Sequence, residues 1–600
     1  MTTANGTRNL KFDPDALRRK YREERDKRLR AEGNDQYVNI AQFIEYLDDP
    51  YADPIVRDPV SDHVEVALIG GGFAGLLIGA RLREAGVENL RIIEQGGDFG
   101  GTWYWNRYPG AACDTEAYIY LPLLEETGYM PTEKYAKAPE ILAHSRRIAE
   151  HYDLYRDVLF QTRISELRWD ESDQVWRVST DRGDRFSARF VCMANGPLNR
   201  PKLPGVPGID SFKGHSFHTS RWDYDYTGGD SYGNLDKLAD KRVGIIGTGA
   251  TAVQCVPHLG ASAKQLYVFQ RTPSSIDVRA NRPTDPEWVK TLEPGWQRRR
   301  MENFSTLTGG GFAEEDLVMD GWTEIIGKLL RGRNSGAEAA ADPAQMMQTI
   351  EMADFEKMEQ IRARAEALVE DPDTAEALKP YYRQFCKRPC FHDEYLQTFN
   401  RPNVTLVDTD GQGIERITER GIVAGGVEYE LDCIIYASGF EVGTPMERRA
   451  GYEVYGEGGV ALSDKWRNGV STLYGMHTHG FPNCFIVGLS QVGLSANIPH
   501  VIDVQSRHIA YVLSEARRRN TRAIDTTPEA ETEWVETVMN ASVLSLAFLE
   551  SCTPGYYNNE GKPNGALVRR NGSFAPGIMA FSSILDAWRS EGKLRGIEFG

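Results

Sequence analysis

One supersecondary signature occurs twice in this chain and restricts its fold more than any other feature. Residues 64–69 (VEVALI) form an apolar run that leads into Gly70-Gly71-Gly72-Phe73-Ala74-Gly75 and then a helical pattern, LLIGARLREAG. Residues 242–246 (RVGII) lead into Gly247-Thr248-Gly249-Ala250-Thr251-Ala252 and a second helical pattern. Strand, tight turn and helix open a dinucleotide-binding βαβ unit. In such a turn the first glycine permits the bend and the second lets the backbone approach a pyrophosphate. The third lets the helix pack on the sheet, and the helix N-terminus faces the phosphates. That third place is Gly75 in the first copy and Ala252 in the second, a change the motif tolerates. The fold expected is α/β, with two Rossmann-like dinucleotide-binding domains.

The strands that follow separate the two ligands. LRIIEQ ends in Glu94, whose carboxylate can accept both ribose hydroxyls of an adenosine. LYVFQ ends in Gln270-Arg271-Thr272 instead. A carboxylate there would repel a 2′-phosphate, whereas Arg271 can pair with it through a forked contact. The first unit is therefore assigned to FAD and the second to NADPH, so that hydride passes from one to the other. Gly70, Gly72, Gly75 and Glu94 are the expected FAD contacts. Gly247, Thr248, Gly249, Ala250, Thr251, Ala252, Gln254, Arg271 and Thr272 are the expected NADPH contacts.

Six hundred residues exceed what one core serves, and the remaining chain divides accordingly. An N-terminal extension covers residues 1–60. Its first part, from Asp13 to Glu32, reads as a charged surface helix with Asp13 as N-cap before Pro14, either packed on the domains or free of them. The FAD domain is expected over 61–200 and 431–600, and the NADPH domain over 201–281 and 383–430. A helical insertion over 282–382 is interrupted at Thr308–Phe312 and Arg333–Gly336. Strands are expected at Val404–Val407 and Cys433–Tyr436, and FPNCFIVGL (481–489) reads as a buried strand returning to the first domain.

The net charge of −17, from 69 basic and 86 acidic side chains, argues against a nucleic-acid partner, which needs a basic face. The start of the chain lacks a signal-like apolar core, and no stretch approaches the ~20 apolar residues of a membrane span. Eight cysteines without disulfide-like spacing fit a reducing cytoplasm. Cys386 and Cys390, spaced C-x3-C, read as structural thiols rather than a redox or metal pair, and no metal is expected.

Two further stretches carry a specific resemblance. Gly100-Gly101-Thr102-Trp103-Tyr104-Trp105-Asn106-Arg107-Tyr108-Pro109-Gly110, running on to Cys113-Asp114, resembles the flavin-side signature of the Baeyer–Villiger monooxygenases. Phe212-x-Gly214-x3-His218-x3-Trp222-Asp223 is similar to that family's fingerprint and sits between the two nucleotide motifs. The resemblance implies that reduced FAD takes up O2 as a C4a-peroxyflavin, which converts a ketone to an ester or lactone. It implies Arg388, in the pair Lys387-Arg388, as the cation beside that peroxide, since an arginine does not give up its proton. Asp114 is then the partner that orients Arg388 and lies beside the flavin, Lys387 a contact of the NADPH phosphate, and Thr102, Trp103 and Tyr120 flavin contacts. The family counterpart of His218 lies in a linker, which implies a structural role rather than that of a base. Tyr436-Ala437-Ser438-Gly439-Phe440 is similar to the family's ATGF strand end.

Ala112 stands where family members often carry Arg, so a cationic contact is missing or supplied elsewhere. Thr553–Gly561 lies where the family has a mobile loop over substrate and coenzyme. That loop and the N-terminal extension resemble the subgroup taking bulky, macrocyclic or steroid-like ketones. Oxygenation of nitrogen or sulfur is the nearest alternative, with Trp222-Asp223 and Arg388 against it. A flavin disulfide reductase needs a cysteine pair beside the flavin, and residues 95–125 hold none. A cofactor-binding sensor without turnover is the non-enzymatic alternative.

Overall fold

The apolar runs before the two glycine turns become central strands of two different sheets in the computed structural model, which describes residues 12–38, 40, 43, 48–334, 343–541 and 546–600. His63–Ile69 lies between Leu90–Ile93 and Arg185–Met193, parallel to both. Burial on both faces is why this strand is a nearly unbroken apolar run rather than an alternating one. Arg185–Met193 is long enough to take two partners along one edge. Its first half pairs antiparallel with Val175–Thr180 in a meander that includes Ile164–Asp170. Its second half pairs in parallel with Cys484–Ile486, the return strand expected within 481–489.

The second sheet has five parallel strands in the order Val404–Asp408, Gln265–Gln270, Arg242–Ile246, Cys433–Tyr436, His215–His218. Here a domain boundary drawn from sequence needs correction. A break at 430/431 would put Cys433–Tyr436 in the first domain, but the strand pairs with Arg242–Ile246 in the second sheet. Four consecutive apolar residues identify a buried strand without saying which sheet buries it.

Between the sheets' segments the chain is helical, with Trp296–Thr308, Gly321–Asn334 and Pro343–Leu368 as its longer helices. The first ends at the glycines after Thr308 as expected; of the second break, Arg333–Gly336, the first two residues close the helix Gly321–Asn334 and the other two lie outside the described residues. Asp13 caps Pro14–Asp26 by accepting from the N–H groups of Asp15 and Ala16. This helix is packed rather than free: the Tyr21 ring meets Phe355 edge-on at 5.5 Å, and Arg362 donates to the Tyr21 hydroxyl at 2.9 Å. The helix Ile498–Arg518 lies against Phe73–Glu84, where Arg81 pairs with Asp503 at 2.7 Å. The C-terminal third is thereby laid against the first glycine turn.

The cysteines require a second correction. Cys386 and Cys552 form a disulfide across a sequence separation of 166, so Cys386 is not the structural thiol expected there. Cys390 remains free and buried. Spacing along the chain held no sign of the bond because its partner belongs to a distant segment. The bond joins the residue before Lys387-Arg388 to the residue before the loop Thr553–Gly561. Cys552→Ser is expected to lower stability by about 2–5 kcal/mol in a denaturant melt, with the difference vanishing when both proteins are fully reduced.

Candidate active site

The two glycine turns repeat one geometry. Gly70 and Gly247 have φ of +113° and +114°, and a Cβ on either would lie 2.7 Å from Ala194 O or 2.6 Å from Ala437 O. Each residue thus bends the chain against the end of a neighbouring parallel strand, which only glycine allows. Gly72 and Gly249 follow as the N-caps of Phe73–Glu84 and Ala250–Ser262. A Cβ on Gly249 would meet nothing within 4 Å, so the N-terminus of that helix is open to an approaching phosphate. In the first turn Glu94 accepts from Gly71 N at 2.5 Å and Gly96 N at 2.6 Å. Burial raises its pKa against the pull of those N–H groups, and its remaining lone pairs are available to a ribose.

The flavin-side aromatic residues meet at this turn. Trp103 Nε1 donates to the Tyr120 hydroxyl at 3.0 Å, and the Tyr120 ring also packs on Phe73, the first residue after the turn's Gly72. Thr102 opens the short helix Thr102–Trp105 beside them.

Asp114 and Arg388, far apart in sequence, form an ion pair at 2.8 Å. What aligns them is a two-residue parallel ladder, Ile276–Asp277 with Cys390–Phe391. Cys390 N donates to Ser275 O at 3.0 Å and His392 N to Asp277 O at 2.8 Å. Arg388 precedes one strand of the ladder and Arg279 follows the other, and both reach Asp114. Sequence reasoning missed Arg279; its one signal was an arginine soon after the second nucleotide strand. Burial disfavours the Asp114 carboxylate, but the guanidinium groups of Arg279 and Arg388 outweigh it and hold the pKa below the ordinary range. Burial likewise works against the Arg388 cation, and Asp114 more than restores it. Two arginines share one carboxylate, so the cluster keeps a net positive charge. Its outer member, Arg388, has a side chain 35% exposed, while Asp114 is 2% exposed. Trp322 of the helical insertion covers the cluster, donating from Nε1 to Asp114 O at 3.0 Å.

Around the second turn, Thr248 Oγ1 donates to Thr272 O at 2.7 Å, tying the turn to the strand end that carries Arg271. Thr272 Oγ1 is buried without a partner. Arg271 donates from Nη1 to Gln36 Oε1 at 2.6 Å and pairs through Nη2 with Glu560 at 3.2 Å. Lys387 donates to Pro554 O at 3.3 Å, and its pKa is pushed down to about 8, first by burial and then by Arg271.

Gln254, expected as a coenzyme contact, also has partners within the protein. Its amide joins the two halves of the protein, accepting from the Tyr108 hydroxyl at 2.8 Å and donating to Ala112 O at 2.9 Å. Thr251, in the first turn of the same helix, accepts through its carbonyl from the Cys255 thiol at 2.9 Å. His218 is buried, bridges Ser220 Oγ at 2.9 Å and Gly439 O at 3.1 Å, and is driven down to a pKa of about 3 by burial and then by Arg221. It is therefore a neutral tie between strand ends. Trp222 of the same fingerprint is buried, with its Nε1 on Thr227 Oγ1 at 3.1 Å.

A family profile described as pyridine nucleotide-disulphide oxidoreductase matches residues 67–306. Neopentalenolactone D synthase of Streptomyces avermitilis is 55% identical over 590 residues, covering 98% of this chain and 99% of its own. A Baeyer–Villiger monooxygenase of Streptomyces coelicolor is 50% identical, covering 96% and 95%. The solved polycyclic ketone monooxygenase from the fungus Thermothelomyces thermophila superimposes with a TM-score of 0.91 at 39% identity, covering 98% of this chain and 99% of that one. Likeness at this level over the whole length, together with the paired glycine turns, is decisive: this chain belongs to the Baeyer–Villiger monooxygenases.

Proposed function

We propose that this enzyme uses NADPH and O2 to convert a bulky, lipophilic ketone, polycyclic, macrocyclic or steroid-like, to an ester or lactone. The observation that carries this reading is the Asp114–Arg388 pair, a permanent cation held at the flavin-side segment and still open on one side. FAD belongs on the first turn, with residues 61–200 and the C-terminal third. NADPH belongs on the second, with 201–281 and 383–436. The residues fit both groups: the Glu94 carboxylate at the first turn suits a ribose, and an open helix N-terminus at Gly249, a buried unpartnered hydroxyl at Thr272 and a guanidinium at Arg271 suit a phosphorylated adenosine.

When bound, the flavin supplies the oxidation chemistry, taking hydride from the nicotinamide and passing electrons to O2. The chain's own residues do the rest. Arg388 offers N–H groups to negative charge developing on oxygen, and its raised pKa means it stabilises that anion without protonating it. Asp114 and Arg279 hold the guanidinium in place. Trp322 and the segment around Phe391, whose rings meet at 5.5 Å, keep water from the buried side of the pair. Among the described residues no helix is long and apolar enough to cross a membrane. We place the enzyme in the cytoplasm, where the Cys386–Cys552 bond is an exception to the usual reduced state of thiols.

The reading is tested by incubating the enzyme with NADPH, air and a panel of polycyclic and macrocyclic ketones. A ketone-dependent product heavier by one oxygen, ring-expanded by NMR, is expected. NADPH oxidation that yields only hydrogen peroxide with every ketone, or oxygen transferred only to amines and sulfides, would exclude it.

Lys387 adds a pH dependence to the same site. Its depressed pKa leaves an ammonium below about pH 8 and a neutral amine above. Affinity for NADP+ is expected to weaken as pH rises from 7 to 9, and the wild-type slope to flatten in Lys387→Met. A slope unchanged by that substitution would assign the dependence to another group.

A further inference from the structure

Arg271 lies beneath two segments from outside its own nucleotide domain. From one side comes the N-terminal segment, with Gln36 on Nη1 at 2.6 Å and Arg28, itself held by Glu24 at 2.7 Å, donating to Arg271 O at 2.9 Å. From the other comes the loop after Cys552, with the Glu560 carboxylate on Nη2 at 3.2 Å. The two segments also hold each other, through Asn34 with Asn559 and Lys562 with Ala31 O. Glu560 is 4% exposed, and its backbone is fixed by a bond from its N–H to Gly555 O at 2.8 Å.

Around it the charges are positive. Glu560 favours the charged forms of Arg271, Lys387 and Lys202 alike. Glu560 takes the Nη2 edge through one carboxylate oxygen, and a carboxylate there has the same charge sign as a phosphate on that guanidinium. Both cannot take the Nη2 edge of Arg271, and two anions side by side repel.

We propose that Glu560 is a specificity-setting residue for the nicotinamide coenzyme, an internal anion that competes with the 2′-phosphate for Arg271. Binding of a 2′-phosphorylated coenzyme then displaces the Glu560 end of the loop, while the disulfide at Cys552 and the Lys387–Pro554 contact keep its other end fastened. Coenzyme release and reseating of the loop are in this way one exchange of anions. The inference rests on the assignment of Arg271 to the 2′-phosphate.

The test is calorimetric titration of the FAD-loaded full-length enzyme with NADP+, adenosine 2′,5′-bisphosphate and NAD+. Glu560→Gln is expected to bind the first two about tenfold more tightly, with NAD+ unchanged. Glu560→Ala is expected to shift the same way, and serves if the glutamine variant loses its flavin. On an Arg271→Ala background neither substitution should produce a gain. Weaker or unchanged NADP+ binding in both single variants would overturn the proposal and make Glu560 a support for Arg271 instead. Equal wild-type affinity for NADP+ and NAD+ would remove the assignment of Arg271 itself, whereas a wild-type preference without a gain in the variants removes only the role of Glu560.

Discussion

Arg388→Ala is expected to go on oxidising NADPH while its ester formation falls by about 10²–10³-fold, with hydrogen peroxide appearing in place of product. The two steps separate because they use different residues. In the proposed reading hydride transfer depends on the glycine turns and on Arg271, whose side chain is held by Gln36 and Glu560 rather than by Asp114. Oxygen transfer is there assigned to a cation at the flavin side that stays charged beside a basic anion, and Asp114 raises the Arg388 pKa further. Arg388→Lys should recover little, because a lysine can hand its proton to that anion. Measuring NADPH, peroxide and ester together checks this. Ester formation at the wild-type ratio in the alanine variant would take Arg388 out of the chemistry.

Asp114→Ala should have the second large effect, and on stability first. The carboxylate is the common partner of Arg279 and Arg388, and its removal leaves the buried Arg279 facing the partly exposed Arg388 with no counter-charge. Breaking a buried pair by removing one member costs about 3–5 kcal/mol. The pH dependence follows from the direction of the Asp114 shift. Its folded pKa is depressed, so its contribution is complete above the unfolded carboxylate value of about 3.9 and is lost as pH falls through the folded value. The gap between wild type and variant in a denaturant melt should therefore stay constant from pH 5 to 8 and close only in strong acid. A variant as stable as wild type at pH 7 would mean that solvent, not Asp114, balances the arginines.

How much of this was legible beforehand follows the range of the interactions. The glycine turns, the strands that feed them and the Asp13 cap are local patterns, each set by a few neighbouring residues, and they stand where the sequence places them. Arg388 and Asp114 were legible through resemblance, since nothing near either residue announces an ion pair between them. Arg279 was missed because its part depends on a two-residue ladder that pairs segments more than a hundred positions apart. The same holds for the Cys386–Cys552 bond, for Gln254 as a tie to Tyr108 and Ala112, and for Cys433–Tyr436, whose sheet is chosen by tertiary packing. The N-terminal segment shows the limit most plainly. Its helix could be read from Asp13 and Pro14, but that Gln36 would reach Arg271 could not.

If the two glycine turns and Arg388 frame an oxygenation site, one atom of O2 must end in the product. Running the reaction under ¹⁸O2 with a polycyclic ketone and NADPH, and weighing the ester formed, decides the matter. One ¹⁸O atom in the new ester linkage and one ester formed per NADPH consumed are expected. Product oxygen drawn from water, or NADPH consumed with all of the ¹⁸O recovered as hydrogen peroxide, would contradict that assignment.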